Sequence, residues 1–184
     1  MKTLIFGVAV GVLVAGCANP LNRVTMDRYA QACTDAEHGG QLNVAEDACR
    51  RAWINVRMGN LGPVLESQTL YNLGRIKKQL GKYSEAEEYY KASLKIQESL
   101  PVPDQSKIGR RLAELSIVAA EQQRFAEAWP MVVRLMALSD NFSGDEKKTV
   151  GIIFNKYAEE YDVLEMFAEA AQLRKKVDAL QFGK

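Results

Sequence analysis

Residues 67–100, SQTLYNLGRIKKQLGKYSEAEEYYKASLKIQESL, decide how the rest of the chain is read. Leu70, Leu73, Gly74 and Lys77 recur at three- and four-residue spacing, so they share one face of a helix. Gly81 then offers a left-handed stop. Ser84, with Glu87 three residues on, reads as a capping box that opens a second helix. That helix carries Tyr83, Ala86, Tyr90, Ser93 and Leu94 on one side, with Glu85, Glu88, Lys91 and Lys95 on the other. Two amphipathic helices joined by a tight turn make an antiparallel pair. One pair cannot bury both apolar faces by itself, so the unit should recur.

The spacing is found three more times. Ala86, the small residue that lets the second helix approach the first, is matched by Ala45, Ala128 and Ala170. Tyr83, which opens the second helix, is matched by Leu42, Phe125 and Phe167. Gly74, late in the first helix, is matched by Cys33, Ser116 and Ala158, and Leu70 by Tyr29, Leu112 and Phe154. Every series steps by 41, then 42, then 42 residues. A fixed period held in four slots predicts a solenoid of stacked helix pairs, an all-α fold.

Leu70-x-x-Leu73-Gly74, Gly81-x-Tyr83, Ala86-x-x-x-Tyr90 and Ser93-Leu94 resemble a tetratricopeptide repeat. The period near 42 is similar to the longer repeats of kinesin light chains. Lys77 stands where the family usually has an aromatic, and Glu98 where it usually has proline; both suit a helix that runs past the usual stop. The resemblance covers about residues 26–181 and implies a right-handed α-solenoid that binds proteins or peptides. In that family the first helices line a concave surface. The register places there Ala30, Gln31 and Thr34, then Tyr71, Asn72, Arg75 and Lys78. Arg110, Glu114 and Ile117 follow, then Asn155, Lys156 and Glu159. The set does not reproduce the lysine-and-asparagine clamp of repeats that hold a C-terminal carboxylate. It suits an extended peptide whose backbone bonds to Asn72 and Asn155 while an acidic group meets Arg75.

Ahead of the repeats lies a leader. Lys2 is followed by an apolar or small run over residues 4–15, and Val14-Ala15-Gly16-Cys17 resembles a bacterial lipobox. Small residues let a peptidase close on extended backbone, and the thiol takes a lipid. The run is too short to span a bilayer, which needs roughly 20 apolar residues. A plain secretory signal is the other reading, and it leaves Cys17 unexplained. Ala18 stands where an aspartate would retain a lipoprotein in the inner membrane, so the resemblance implies the periplasmic leaflet of an outer membrane. The chain thus divides into a signal peptide (1–16), a lipidated tether (17–25) and a repeat domain (26–181). A tether over residues 18–24 reaches at most roughly 25 Å, which keeps the solenoid close to the bilayer.

In an oxidising compartment with Cys17 lipidated, Cys33 and Cys49 remain. They lie on facing sides of the first helix pair and read either as a disulfide or as two small buried hydrophobes. Asn43 with Glu46 reads as a cap on the second helix of that pair. Residues 57–66, 100–105 and 139–147 read as connectors, with Ser143 and Glu146 as a capping box. Pro130 falls inside a predicted helix, which either kinks there or starts late. Arg174 occupies the slot of Tyr90, so the last repeat presents a more polar outer face that caps the array.

Several functions find no chemistry here. His38 is the only histidine, so catalytic triads and histidine-rich metal sites are excluded. Ser139-Asp140-Asn141 matches a penicillin-binding motif by letters only, because no Ser-x-x-Lys precedes it. Glu159, Glu160, Asp162 and Glu165 read as a solvated face. No enzyme, cofactor or metal is expected. The leader holds one of the 24 basic residues, which leaves 23 against 23 acidic ones. So neutral a chain has no field to recruit nucleic acid. The expectation is a lipid-anchored interaction scaffold for an envelope protein or peptide, serving secretion, pilus or wall machinery; a binder of wall fragments or another small molecule is the alternative. Replacing Cys17→Ser should stop processing and leave an unlipidated precursor, seen as a mass increase and loss of membrane fractionation. Normal cleavage and fractionation of the variant would contradict the lipobox reading.

Overall fold

The computed structural model describes residues 19–182; residues 1–16, read as a leader, and Cys17 lie outside them. Eight α-helices follow one another among the described residues: α1 (Pro20–His38), α2 (Leu42–Met58), α3 (Pro63–Gln79), α4 (Tyr83–Glu98), α5 (Gln105–Glu121), α6 (Phe125–Leu138), α7 (Gly144–Val163) and α8 (Phe167–Phe182). They pack as four antiparallel pairs, and each pair leans on the next in chain order. The fold is an all-α solenoid.

The small slots set the pairing. Ala45, Ala86, Ala128 and Ala170 are no more than 2% exposed, as are Cys33, Ser116 and Ala158 opposite them. At Gly74 the approach is tighter still, since a Cβ there would lie 2.7 Å from the Tyr90 ring. Around these crossings one large apolar cluster runs from Ala86 to Val177, and two smaller ones hold the first repeats together. Cys33 and Cys49 join α1 to α2 by a disulfide with Cα atoms 5.2 Å apart and a sequence separation of 16. A loop of that length contributes roughly 3 kcal/mol in the chain-entropy account.

The turns inside the pairs share one device. Gly40, Gly81, Gln123 and Glu165 stand at equivalent positions and all have positive φ, between 58° and 71°. Glycine accepts this at no steric penalty; the other two pay about 1 kcal/mol each. Four local readings are corrected. α2 and α4 start at Leu42 and Tyr83 without a side-chain cap, so Asn43–Glu46 and Ser84–Glu87 are not capping boxes. Their carboxylates instead bridge repeats: Glu46 accepts from Lys77 and Lys82, both at 2.7 Å, and Glu87 pairs with Arg124. The third correction concerns the start of the solenoid. α1 begins at Pro20, with Asn19 capping it, so most of the stretch read as a tether is helix. Proline suits that first turn, where its missing N–H is not needed. The connectors are likewise shorter than read, because α2 runs to Met58 and α3 starts at Pro63. Ser143 and Glu146 form the expected complete capping box, on α7. α6 starts at Phe125 and continues through Pro130, so the late start is not taken. Arg174 is exposed and paired with Asp162.

Two glycines in one slot test this packing. At Gly109 a Cβ would fall 2.1 Å from Phe142 Cζ, while at Gly151, 42 residues on, it meets nothing within 4 Å. Gly109→Ala should lower unfolding stability by about 1–3 kcal/mol through overpacking. Gly151→Ala should raise it by up to about 1 kcal/mol through helix propensity. Urea midpoints of the two variants read the sign directly, and equal shifts would contradict the repeat geometry.

Candidate functional site

The odd-numbered helices lie side by side, and the bonds between them show the order. Arg75 on α3 donates to Glu37 on α1 at 2.5 Å, Lys78 on α3 to Glu114 on α5 at 2.5 Å, and Tyr157 on α7 to the Ser116 carbonyl at 2.8 Å. This layer carries all the residues that the register assigned to the groove. It divides into two halves with different chemistry.

The half over α1, α3 and α5 is polar and largely bonded to itself. Glu114 accepts from Lys78, from the Tyr90 hydroxyl at 3.3 Å and, at a longer 3.5 Å, from the Tyr71 hydroxyl. Burial pushes the Tyr71 phenol above its usual pKa, and the Glu114 charge pushes the same way. Asn72 accepts from Gln68 at 3.1 Å. Arg75, expected to meet a ligand's acid, is instead held by Glu37, which also accepts from Gln79 at 2.5 Å.

Beneath Tyr71 lies a residue that the repeat pattern did not single out. Arg111 is 2% exposed. Its guanidinium donates to Ser93 Oγ at 2.7 Å, to Ser67 Oγ at 3.0 Å and to the Lys107 carbonyl at 2.8 Å. Its carbon lies 5.0 Å from the Tyr71 ring centroid, a cation–π contact. Among the described residues it forms no salt bridge, so hydroxyls, a carbonyl and a ring face carry the charge. Burial lowers its pKa from the usual arginine value. The cluster ties α3, α4 and α5 together and fixes the side on which Tyr71 sits. The signal available in sequence was the pair of serines at helix-crossing positions, where most repeats place an apolar or small residue.

The half between α5 and α7 is apolar and open. One cleft of about 180 Å³ is lined by Ile117, Ala120, Thr149, Ile152, Ile153 and Lys156, among others. A second, of about 260 Å³, lies over Ala113, Phe142 and Val150 and shares Thr149 with the first, so the two follow one seam. Ile152 is 71% exposed. The rim is charged at both ends: Arg110 donates to Glu146 at 3.1 Å, and Lys156 approaches Glu121 at 3.7 Å. Of the residues assigned from sequence, Arg110, Ile117 and Lys156 belong to this seam, and Asn155 lines another cleft at the end of the solenoid. Among the described residues no cluster of His, Cys, Asp or Glu could hold a metal ion, and no helix is long and apolar enough to cross a membrane.

Residues 65–128 match the model of the tetratricopeptide repeat family. Among solved structures, the nearly identical TPR-like repeats of a Podosopora anserina kinesin light chain superpose with a TM-score of 0.65 at 16% identity, over 85% of this chain and 74% of that one. BtubC (BKLC) of P. vanneervenii superposes with a TM-score of 0.74 at 17% identity, over 87% of this chain and 64% of that one. At these identities the likeness is one of fold. A comparison with curated proteins finds no match.

Glu146 gives the rim a pH signature. Hydrogen bonds from the Ser143 backbone and hydroxyl, with Arg110 and Ser106 contributing, bring its pKa down from 4.5 to about 2. A folded-state value below the unfolded one stabilises the fold above pH 4.5, and that contribution is lost as pH falls toward 2. Glu146→Gln should therefore melt below wild type at pH 7, and the gap should narrow toward pH 2.5. A gap independent of pH would contradict it.

Proposed function

We propose that this chain is a lipid-anchored scaffold of the bacterial envelope that holds a segment of a partner protein along the α5–α7 seam. The tetratricopeptide resemblance of residues 65–128 supports the scaffold, since such repeats serve protein interaction. The observation that carries the choice of site is the contrast between the two halves. Where Arg75 is held by Glu37 and Lys78 by Glu114, a ligand would have to break ion pairs. Along the seam, Ile152 and its neighbours offer apolar surface with nothing to displace but water. A peptide laid there would bury alternate side chains and meet the charged rim at either end.

The anchor and compartment rest on the sequence Val14-Ala15-Gly16-Cys17 and on Ala18 after it. In this reading the periplasmic face of the outer membrane is where the seam meets its partner, and assembly of an envelope complex is the process served. A role in binding wall fragments is the alternative; it calls for a pocket with converging polar groups, and the seam is an open trough.

A pull-down from solubilised envelope separates the two halves. Ile152→Asp and Ile117→Asp should each weaken capture of the partner by about tenfold or more, with helicity unchanged. Arg75→Glu should keep it. Capture that survives both isoleucine changes and fails with Arg75→Glu would move the site to the polar half.

A further inference from the structure

The junction between the third and fourth repeats is a template for what the end of the solenoid can hold. Phe142, 8% exposed, covers Gly109 so closely that a Cβ there would lie 2.1 Å from its Cζ. Leu135 and Leu138 belong to the same apolar cluster. Four residues after Phe142, Glu146 accepts from Ser106 Oγ at 3.0 Å and from Arg110 Nε at 3.1 Å. An aromatic side chain and an acid four residues later, both at the opening of a helix, thus seat α7 on α5.

Stepping each partner of that seat forward by 42 residues rebuilds it at the far end. Gly109 becomes Gly151, Leu135 becomes Val177, Leu138 becomes Leu180, and Ser106 becomes Lys148. A cleft of about 740 Å³ lies there, lined by Gly151, Ile152, Val177, Leu180, Lys147 and Lys148 among others. A Cβ on Gly151 would touch nothing within 4 Å. Among the described residues Lys148 pairs with Asp145 alone, at 3.3 Å, with side chains 80% and 95% exposed, a pair that contributes little.

We infer that this cleft, which shares Ile152 with the α5–α7 seam but not Ile117, is a second docking site, for a partner segment that opens a helix with an aromatic residue and carries an aspartate or glutamate four residues later. The aromatic ring lies over Gly151 against Val177 and Leu180, as Phe142 lies over Gly109. The acid meets Lys148, which replaces the donor Ser106; Arg110 has no counterpart, since Ile152 holds its slot. The charge therefore comes from a lysine ammonium, which takes a carboxylate from several directions where the arginine fork takes it from one. A second copy of this chain fits the seat poorly. The period puts Cys17 and Leu21 of its first repeat in the roles of Phe142 and Glu146, and Leu21 would face Lys148 with no acid.

A probe with the right chemistry is the chain's own segment, a synthetic peptide of residues 139–158 labelled with fluorescein at its N-terminus. Its anisotropy should saturate on titration with the full chain. Gly151→Phe in the chain, which fills the seat, and Phe142→Ala in the peptide should each weaken binding by about tenfold or more. Lys148→Glu in the chain should weaken it as well, and Glu146→Lys in the peptide should restore binding to that variant. Ile117→Asp, in the other site, should leave the titration unchanged, which separates failure here from failure of the seam reading. Circular dichroism confirms that each variant is folded. Absence of saturable binding, indifference to these changes, or loss on Ile117→Asp would overturn the proposal. So would sedimentation that shows the chain pairing with itself through Gly151.

Discussion

Close approach of two helices at one small residue per helix is the constraint on which this structure depends. Ala45, Ala86, Ala128 and Ala170 on the second helices and Cys33, Gly74, Ser116 and Ala158 on the first are all small, and seven of these eight are 2% exposed or less, with Gly74 buried as well. Any larger side chain at a crossing would part the pair, and the apolar stripes on either side would lose contact along their whole length. The rest follows in order. Fixed crossings fix the tilt of each pair, equal tilts stack the pairs into a solenoid, and the stack brings the odd-numbered helices into one layer. Each repeat contacts only its neighbours, so local defects stay local.

That layer is uneven in a way that shapes its use. In the first two repeats inward side chains are long and charged, and the stacking distance lets a cation of one helix reach a carboxylate of the next, as Arg75 reaches Glu37 and Lys78 reaches Glu114. In the third repeat the positions equivalent to Arg75 and Lys78 are Ile117 and Ala120, and the pairs that do cross to α7, Arg110 with Glu146 and Lys156 with Glu121, lie at the ends of the seam. The same geometry therefore closes one half and leaves the other open. Arg111 marks the boundary. Its buried charge is spread over two serines, a carbonyl and the Tyr71 ring, and it locks the closed half against the start of the open one.

The repeat was legible because its slots are defined by size, and size is written in each residue. A small residue at 41- or 42-residue intervals has few other causes. The turn at Gly81 was legible for a similar reason, whereas Gln123 and Glu165 hide the same turn, because tertiary packing carries their strain. Caps were read poorly at Ser84 and Asn43, since the helices begin a residue or two earlier and the glutamates bond across repeats. That preference depends on distances between elements far apart in sequence. Register alone places the residues read as a groove on the odd-numbered helices. Which of them stay free could not be read, because Arg75 and Glu37 are 38 residues apart and only stacking puts them 2.5 Å from each other. Arg111 escaped for the same reason.

The division of the layer into a closed and an open half is most directly tested by hydrogen–deuterium exchange of the full chain, alone and bound to the partner it captures. Binding along the seam should slow exchange in peptides from α5 and α7 that contain Ile117 and Ile152, and leave α3 around Tyr71 and Arg75 unchanged. Protection centred on α3, with α5 and α7 exchanging as in the free chain, would contradict the account.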